Sequence, residues 1–140
     1  MVPERPKVGI GIIVKKGNKI ILQKRKGAHG EGMWSLPGGH LEFSESFEDC
    51  ARREVMEEAN IKIKNIRFLC ITNDIMKNDS KHYITIFFEA DYDSGELKMN
   101  EPDRTEEIGW FDVGQMPEPL FLPLKNLAEG KSYPQVNLCR

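Results

Sequence analysis

The apolar positions of this chain fall into short runs separated by polar turns, a pattern typical of several β-strands. Residues 8–14 are nearly all apolar and β-branched, so we expect a strand buried on both faces. Gly17-Asn18 marks a turn, and residues 20–25 have the pattern of a second strand paired with the first. Further strands are predicted at residues 66–72, 82–90 and 108–111.

One segment, Phe47–Ala59, has the pattern of a helix. Ser46 is in place to cap its first turn, with Asp49 three residues on, and Asn60 follows where a left-handed residue is needed. A shorter helix is predicted near the end, with Pro123 in its first turn and a stop at Gly130. Strands with two flanking helices predict an α/β sandwich around a mixed sheet.

The composition and net charge of the chain argue against several classes of protein. The 140 residues are 39% hydrophobic and 30% charged, which fits one folded domain over residues 1–140. A net charge of −2 argues against binding long nucleic acid or an anionic membrane, and no apolar run is long enough to span one. Three cysteines without a CxxC spacing predict free thiols, and residues 1–7 lack the pattern of a secretory signal. We therefore expect a cytoplasmic protein.

Glycines cluster ahead of the helix. Residues 27–32 are loop-like, and Pro37-Gly38-Gly39 predicts a turn whose backbone conformation other side chains would disfavour. Such bare backbone can approach a bound phosphate or metal closely.

Three carboxylates share one side of the helix. At about 100° per residue, Glu54, Glu57 and Glu58 fall within roughly 100° of the helix circumference. They repel one another, and those near the C-terminal end are also disfavoured by the helix dipole. Acidic helices are common, so the cluster alone does not establish a site, but Mg²⁺ or Mn²⁺ would relieve both penalties.

The flanking sequence supplies the context that the cluster lacks. Residues 39–61 resemble the Nudix box. Its pattern is Gly-x5-Glu-x7-Arg-Glu-U-x-Glu-Glu-x-Gly-U, where U is aliphatic. Eight of the nine specified positions match: Gly39, Glu45, Arg53, Glu54, Val55, Glu57, Glu58 and Ile61. Asn60 stands where the pattern has glycine, a departure that affects helix termination and not the chemistry.

The resemblance implies an α/β/α sandwich in which Glu54, Glu57 and Glu58 hold Mg²⁺ or Mn²⁺, helped by the backbone carbonyl of Gly38. It also implies that Arg53 pairs with Glu45 and braces the loop against the helix. Glu54 or Glu57 would orient or deprotonate the attacking water, and the sequence leaves that choice open. A further metal-binding carboxylate is expected among three residues, namely Glu101, Glu106 and Glu107.

Weaker similarities in residues 36–43, 82–86, 101–102 and 120–121 resemble the MutT-like nucleoside triphosphate diphosphatase branch. That branch implies a phosphate contact by Arg25, close backbone approach at Gly39, and a base near three residues: Thr85, Phe121 and Leu122. Hallmarks of other branches are missing, such as a proline some 15 residues past the box in ADP-ribose hydrolases. Neither the equivalent tyrosine of dinucleoside polyphosphate hydrolases nor the aromatic-proline array of NADH hydrolases is found.

We therefore expect an enzyme that converts a nucleoside triphosphate, including oxidised or non-standard ones, to monophosphate and pyrophosphate. An alternative keeps the chemistry but changes the small-molecule substrate to a nucleotide sugar, a dinucleotide or another diphosphate. A second alternative is a binding module of the same fold without catalysis, which would be expected to lose box carboxylates that this chain retains. The resemblance also makes a homodimer one option, which the sequence leaves open.

Overall fold

The computed structural model describes residues 3–27 and 29–138, and seven strands and two α-helices follow one another there. The elements are β1 (Lys7–Lys16), β2 (Lys19–Arg25), β3 (Trp34–Ser35), β4 (Gly38–His40), α1 (Phe47–Ala59), β5 (Lys62–Met76), β6 (Lys81–Ser94), β7 (Thr105–Asp112) and α2 (Leu122–Ala128). Single 3₁₀ turns occur at Lys77–Asp79 and Val113–Gln115.

The strands of the described chain form one mixed sheet, as predicted. Its order is β3-β2-β1-β6-β5, with β4 also paired to β1 and β7 to β2. The central strand β1 runs parallel to β6, where Gly9 lies opposite Thr85, and every other pairing is antiparallel. β1 is therefore in contact with three strands, and its side chains reach both faces of the sheet.

Alternate residues of β1 build two separate cores. Ile10 and Ile12 face α1 and pack in one core with Val55. Ile13 faces the other way and packs in a second core with Leu124 of α2. The predicted α/β/α sandwich is thus confirmed, with α1 on one face of the sheet and α2 on the other. Neither helix of the described chain has the length and apolar composition of a membrane span.

Both ends of α1 lie where the sequence predicts them. Ser46 Oγ accepts a hydrogen bond from the Asp49 N–H at 3.1 Å. Asn60 adopts a left-handed conformation with φ 62°, and its N–H donates to the Met56 carbonyl. Asparagine therefore does the work of the glycine usual at this place. The buried thiols Cys50 and Cys70 are free, as expected, whereas Cys139 lies outside the described residues.

The structure differs from the sequence predictions at the paired glycines and in the lengths of several elements. β7 is longer than the predicted 108–111, and α2 ends at Ala128 and not at Gly130. Gly38 and Gly39 lie in strand β4, not in a turn, and neither has a positive φ. Their role is close approach, because a Cβ on Gly38 would lie 2.0 Å from the Ile10 carbonyl oxygen. β5 covers Lys62–Met76 where only residues 66–72 were predicted, because its outer residues pair with the long strand β6.

Candidate active site

The side chain of Arg53 contacts three carboxylates, one in the loop before α1 and two on α1 itself. Its Nε and Nη2 donate to the two oxygens of Glu45 at 2.7 and 2.9 Å. Nη1 lies 2.7 Å from Glu54 Oε1 and 3.5 Å from Glu57 Oε2. The predicted pairing of Arg53 with Glu45 is therefore present, and it ties the loop before α1 to the middle of the helix.

In the pair of Arg53 and Glu45, each group stabilises the charged form of the other. Hydrogen bonds from Arg53 lower the pKa of Glu45 to about 2. The same bonds raise the pKa of Arg53 above its ordinary value. Both groups are consequently charged at neutral pH, and a forked guanidinium holding two carboxylate oxygens fixes direction as well as distance.

Glu58 has the opposite surroundings. Its side chain is buried, at 6% exposure, and both oxygens accept from neutral donors. The Gln23 side-chain amide donates to Oε1, and the Gly38 N–H donates to Oε2 at 3.2 Å. Burial raises the pKa of Glu58, and the neighbouring carboxylate of Glu54 raises it further. Gln23 was not among the predicted site residues.

Glu54 lies against the glycine strand. A Cβ on Gly39 would come within 2.5 Å of Glu54 Oε2, so only glycine leaves room for this carboxylate. Glu54 and Glu58 are thereby brought side by side next to β4. Glu57 stands at the outer edge, with 49% of its side chain exposed. The helix thus offers two enclosed carboxylates and one open to solvent.

The residues present suit a hard divalent cation. Within residues 3–27 and 29–138, no three His, Cys, Asp or Glu side chains are already arranged as a metal cage. Carboxylate oxygens beside bare backbone are nonetheless the donors that Mg²⁺ and Mn²⁺ prefer. Gly39 lets the Glu54 carboxylate lie against the backbone of β4, while the Gly38 carbonyl remains a predicted ligand.

The three candidate metal-binding carboxylates outside residues 39–61 differ in their surroundings. Glu106 lies 3.1 Å from Lys24 Nζ, and Glu107 is exposed on β7. Glu101 is half-buried, and burial raises its pKa, opposed by Arg104 and reinforced by the charges of Glu54 and Glu57. Of the three, Glu101 is therefore the candidate whose pKa is affected by the carboxylates of α1.

Arg25 and Phe121, two predicted substrate contacts, pack against each other. The guanidinium carbon of Arg25 lies 4.1 Å from the centre of the Phe121 ring, and its Nε donates to the His29 carbonyl at 3.0 Å. Burial lowers the pKa of Arg25. Arg25 forms no ion pair with a described carboxylate, but one face of Phe121 is covered by it. Leu122 is the first residue of α2 and is half-buried.

Thr85 is the most enclosed of the predicted substrate contacts. It is buried in β6, and its Oγ1 donates to Asp74 Oδ2 at 2.5 Å. Beside it, the rings of Tyr83 and His40 stack with centroids 5.6 Å apart. Of the predicted substrate residues, Arg25 packs with Phe121 directly before α2, and Thr85 lies near Gly39 over β1.

Comparison with known proteins identifies the class. The model of the NUDIX domain matches residues 4–134, and the chain belongs to the Nudix family. It is 40% identical over 108 residues to the NAD-capped RNA hydrolase NudC of Vibrio parahaemolyticus, covering 76% of this chain and 38% of that protein. An ADP-ribose pyrophosphatase of Methanocaldococcus jannaschii is 34% identical over 116 residues, covering 83% and 68%.

Among solved structures, a MutT Nudix hydrolase from Burkholderia pseudomallei matches with a TM-score of 0.80 and 36% identity, over 84% of this chain and 92% of that one. The chain spans less than half the length of the NAD-capped RNA hydrolase it matches. The family and the hydrolase class predicted from the sequence are thereby confirmed.

Proposed function

We propose that this chain hydrolyses the diphosphate bond of a nucleoside diphosphate-linked small molecule of the ADP-ribose kind, using Mg²⁺ or Mn²⁺. The observation that carries the proposal is the pair of carboxylates, Glu54 and Glu58, set against the glycine backbone of β4. Family membership supports the interpretation of that arrangement as a hydrolytic site. Cytoplasmic location and a homodimer stay predictions.

In this proposal Glu54, Glu57 and Glu58 hold the cation, with Glu101 and the Gly38 carbonyl as further ligands. When bound, the ion neutralises diphosphate charge and lowers the pKa of a coordinated water. Glu54 or Glu57 would orient or deprotonate the attacking water.

The bracing groups act around that centre. Arg53 and Glu45 hold the loop, so that the carboxylates keep their spacing. Arg25, with its Nη groups outside any ion pair with a described carboxylate, contacts the phosphate. Gly39 lets the phosphate approach the backbone closely.

The substrate class rests on the relatives. ADP-ribose and an NAD cap both carry a diphosphate between two nucleoside or ribose units, which favours the alternative over the nucleoside triphosphate first expected. The missing proline and aromatic-proline hallmarks were therefore poor evidence against those branches. A triphosphate remains the second candidate because of the similarity to the MutT hydrolase.

Product analysis tests the proposal. The purified chain is incubated with ADP-ribose, NAD, UDP-glucose or each nucleoside triphosphate, in Mg²⁺, Mn²⁺ or excess EDTA. We expect AMP and ribose 5-phosphate from ADP-ribose, at a higher kcat/KM than for any triphosphate, and no turnover in EDTA. Faster release of pyrophosphate from a triphosphate would favour the second candidate.

Two other outcomes would reject the mechanism. Full activity in EDTA would exclude the metal role of the carboxylates. Tight binding of ADP-ribose without cleavage of any substrate would indicate a binding module. Glu58→Gln serves as the inactive control, because it removes a proposed ligand charge and keeps the size of the side chain.

A further inference from the structure

The side chain of Gln23 supports Glu58 from the sheet beneath α1. Residues of β2 alternate between the two cores, since Ile21 packs in the core under α1 and Leu22 packs in the core on the α2 face. Gln23 comes next and therefore points toward α1, where its Nε2 donates to Glu58 Oε1. Only 6% of Gln23 is exposed. The amide thus meets the carboxylate away from solvent.

Ser35 lies directly beside Gln23. The two residues are opposite each other in the antiparallel β2–β3 pairing, so their side chains share a face of the sheet with Cβ atoms about 5 Å apart. Trp34 and Leu36, on either side of Ser35, pack in the core of the α2 face, which places Ser35 on the face of α1. Ser35 is buried as well.

Within residues 3–27 and 29–138, Gln23 and Ser35 each have one buried polar atom without a hydrogen-bond partner. These atoms are Gln23 Oε1 and Ser35 Oγ. Buried polar groups are nearly always paired, so two such atoms on adjacent strands call for a common explanation. An amide oxygen only accepts, whereas a hydroxyl can donate. Rotation of the Ser35 side chain, or one bridging water molecule, therefore satisfies both atoms at once.

The orientation of the Gln23 amide decides which of its atoms faces Glu58. In the observed orientation Nε2 donates to Glu58 Oε1, and the Gly38 N–H holds Oε2 at 3.2 Å. With the amide reversed, Gln23 Oε1 would face the carboxylate, and two acceptor oxygens would repel each other. A hydrogen bond from Ser35 to Gln23 Oε1 favours the observed orientation, because it gives that oxygen a partner away from Glu58.

From these contacts we propose that Gln23 is a positioning residue for the metal ligand Glu58, and that Ser35 fixes the orientation of the Gln23 amide. Neither residue touches the cation or the substrate. They hold the Glu58 carboxylate in place before the cation arrives, which strengthens binding because less ordering remains to be done. The inference rests on the proposed function, since that function makes Glu58 a metal ligand.

Binding of Mn²⁺ tests the inference without hydrolysis, because the EPR signal of free Mn²⁺ gives a Kd for the full chain. Gln23→Met keeps the length of the side chain and removes its donor. We expect this variant to bind Mn²⁺ about tenfold more weakly, the size usual for residues that orient metal ligands. Gln115→Met makes the same change at an exposed residue and should leave the Kd unchanged. An unchanged Kd in Gln23→Met, where Glu58→Gln does weaken binding, would overturn the proposal.

A double-mutant cycle tests whether Ser35 acts through Gln23. Ser35→Ala alone should weaken Mn²⁺ binding about threefold, the size of one neutral hydrogen bond. In the Gln23→Met background it should have no further effect, because the amide that it orients is gone. Additive losses would overturn the role of Ser35. A purely structural role of either residue would change the melting temperature in EDTA and not the Kd.

The outcomes separate the inference from the proposed function. Weaker Mn²⁺ binding in Gln23→Met, in a chain that cleaves no substrate, would support the inference and reject the function. ADP-ribose hydrolysis with a Kd for Mn²⁺ that neither Gln23→Met nor Ser35→Ala changes would do the reverse. If Glu58→Gln binds Mn²⁺ as tightly as the wild type, Glu58 is not a ligand and the inference fails with that assignment. If Gln23→Met fails to fold, the Kd of Ser35→Ala decides the question.

Discussion

Glu45 and Glu58 are two carboxylates of the same motif in opposite surroundings. Glu45 receives two hydrogen bonds from one guanidinium, which lowers its pKa to about 2. Glu58 receives its hydrogen bonds from the neutral amides of Gln23 and Gly38, and burial raises its pKa. The protein pairs the charge of Glu45 with an arginine and gives Glu58 only neutral hydrogen-bond donors.

The difference separates bracing from ligand binding. A carboxylate matched by an arginine has its partner in the fold and serves to hold two segments together. A buried carboxylate with only neutral hydrogen-bond donors is stabilised further when a cation binds to it. Both kinds of residue are needed for a site that holds a cation in fixed geometry, and they should respond differently to the same substitution.

The largest effect is expected for Glu58→Gln in α1. Loss of a ligand charge should reduce kcat by a factor of about 100 or more, because a bound cation contributes several kcal/mol to such reactions. In EDTA the melting temperature should be no lower than that of the wild type, since a buried charge is gone. Glu57→Gln should reduce kcat in the same way, because it removes another proposed ligand charge. If both variants melt lower and turn over normally, the cluster is structural.

Glu45→Gln should have an intermediate effect on rate. The amide cannot hold Arg53 as the carboxylate does, so we expect a loss of about 10- to 100-fold in activity, as for residues that orient metal ligands. Unlike Glu58→Gln, it should lower the melting temperature even in EDTA. Melts in EDTA beside turnover in saturating Mg²⁺ measure both. An unchanged melting temperature would show that the pair does not brace the loop.

A pH series on the same variant gives a smaller effect. Because the folded-state pKa of Glu45 is lowered from 4.5 to about 2, its pairing stabilises the fold fully above about pH 4.5. That contribution is lost as the pH falls toward 2. The melting-temperature difference between wild type and Glu45→Gln should therefore be constant from pH 7 to 5 and shrink below that. A difference that is undiminished at pH 2 would argue against the charge pair as its source.

The smallest change concerns the end of α1. Asn60→Ala places an ordinary side chain at φ 62° and removes the hydrogen bond from Nδ2 to the Glu96 carbonyl. We expect a loss of about 1 kcal/mol in the free energy of unfolding. Asn60→Gly, which suits the same φ, is the control. Turnover should not change in either variant. A large loss of turnover in Asn60→Ala would show that a loss of stability is by itself enough to lower the rate.

Local signals in the sequence predicted much of this molecule. The ends of α1 follow from Ser46 and Asn60, whose side chains suit capping positions whatever surrounds them. The carboxylate set follows from spacing along one helix. Strand β4 was missed because two glycines after a proline have the composition of a turn, and only their pairing with β1 makes them extended.

Other residues of the site depend on contacts that no local pattern records. Gln23 reaches Glu58 because β2 lies beside α1, and its one hint is a polar residue directly after an apolar run. Asp74 lay beyond the predicted end of its strand, so its bond to Thr85 could not be anticipated. The substrate was misjudged because specificity depends on a few pocket atoms that the family motif does not include.

The parallel pairing of β1 with β6 also has a consequence for how the chain folds. Gly9 pairs with Thr85 across more than half of the chain, whereas β2 on the other side of the central strand follows it directly. Contacts of such high sequence separation slow folding, because the entropy of closing a long loop must be overcome first. Trp110 packs against one core and Trp34 belongs to the other, and both cores depend on β1, so we expect stopped-flow refolding to show the two tryptophan environments forming together.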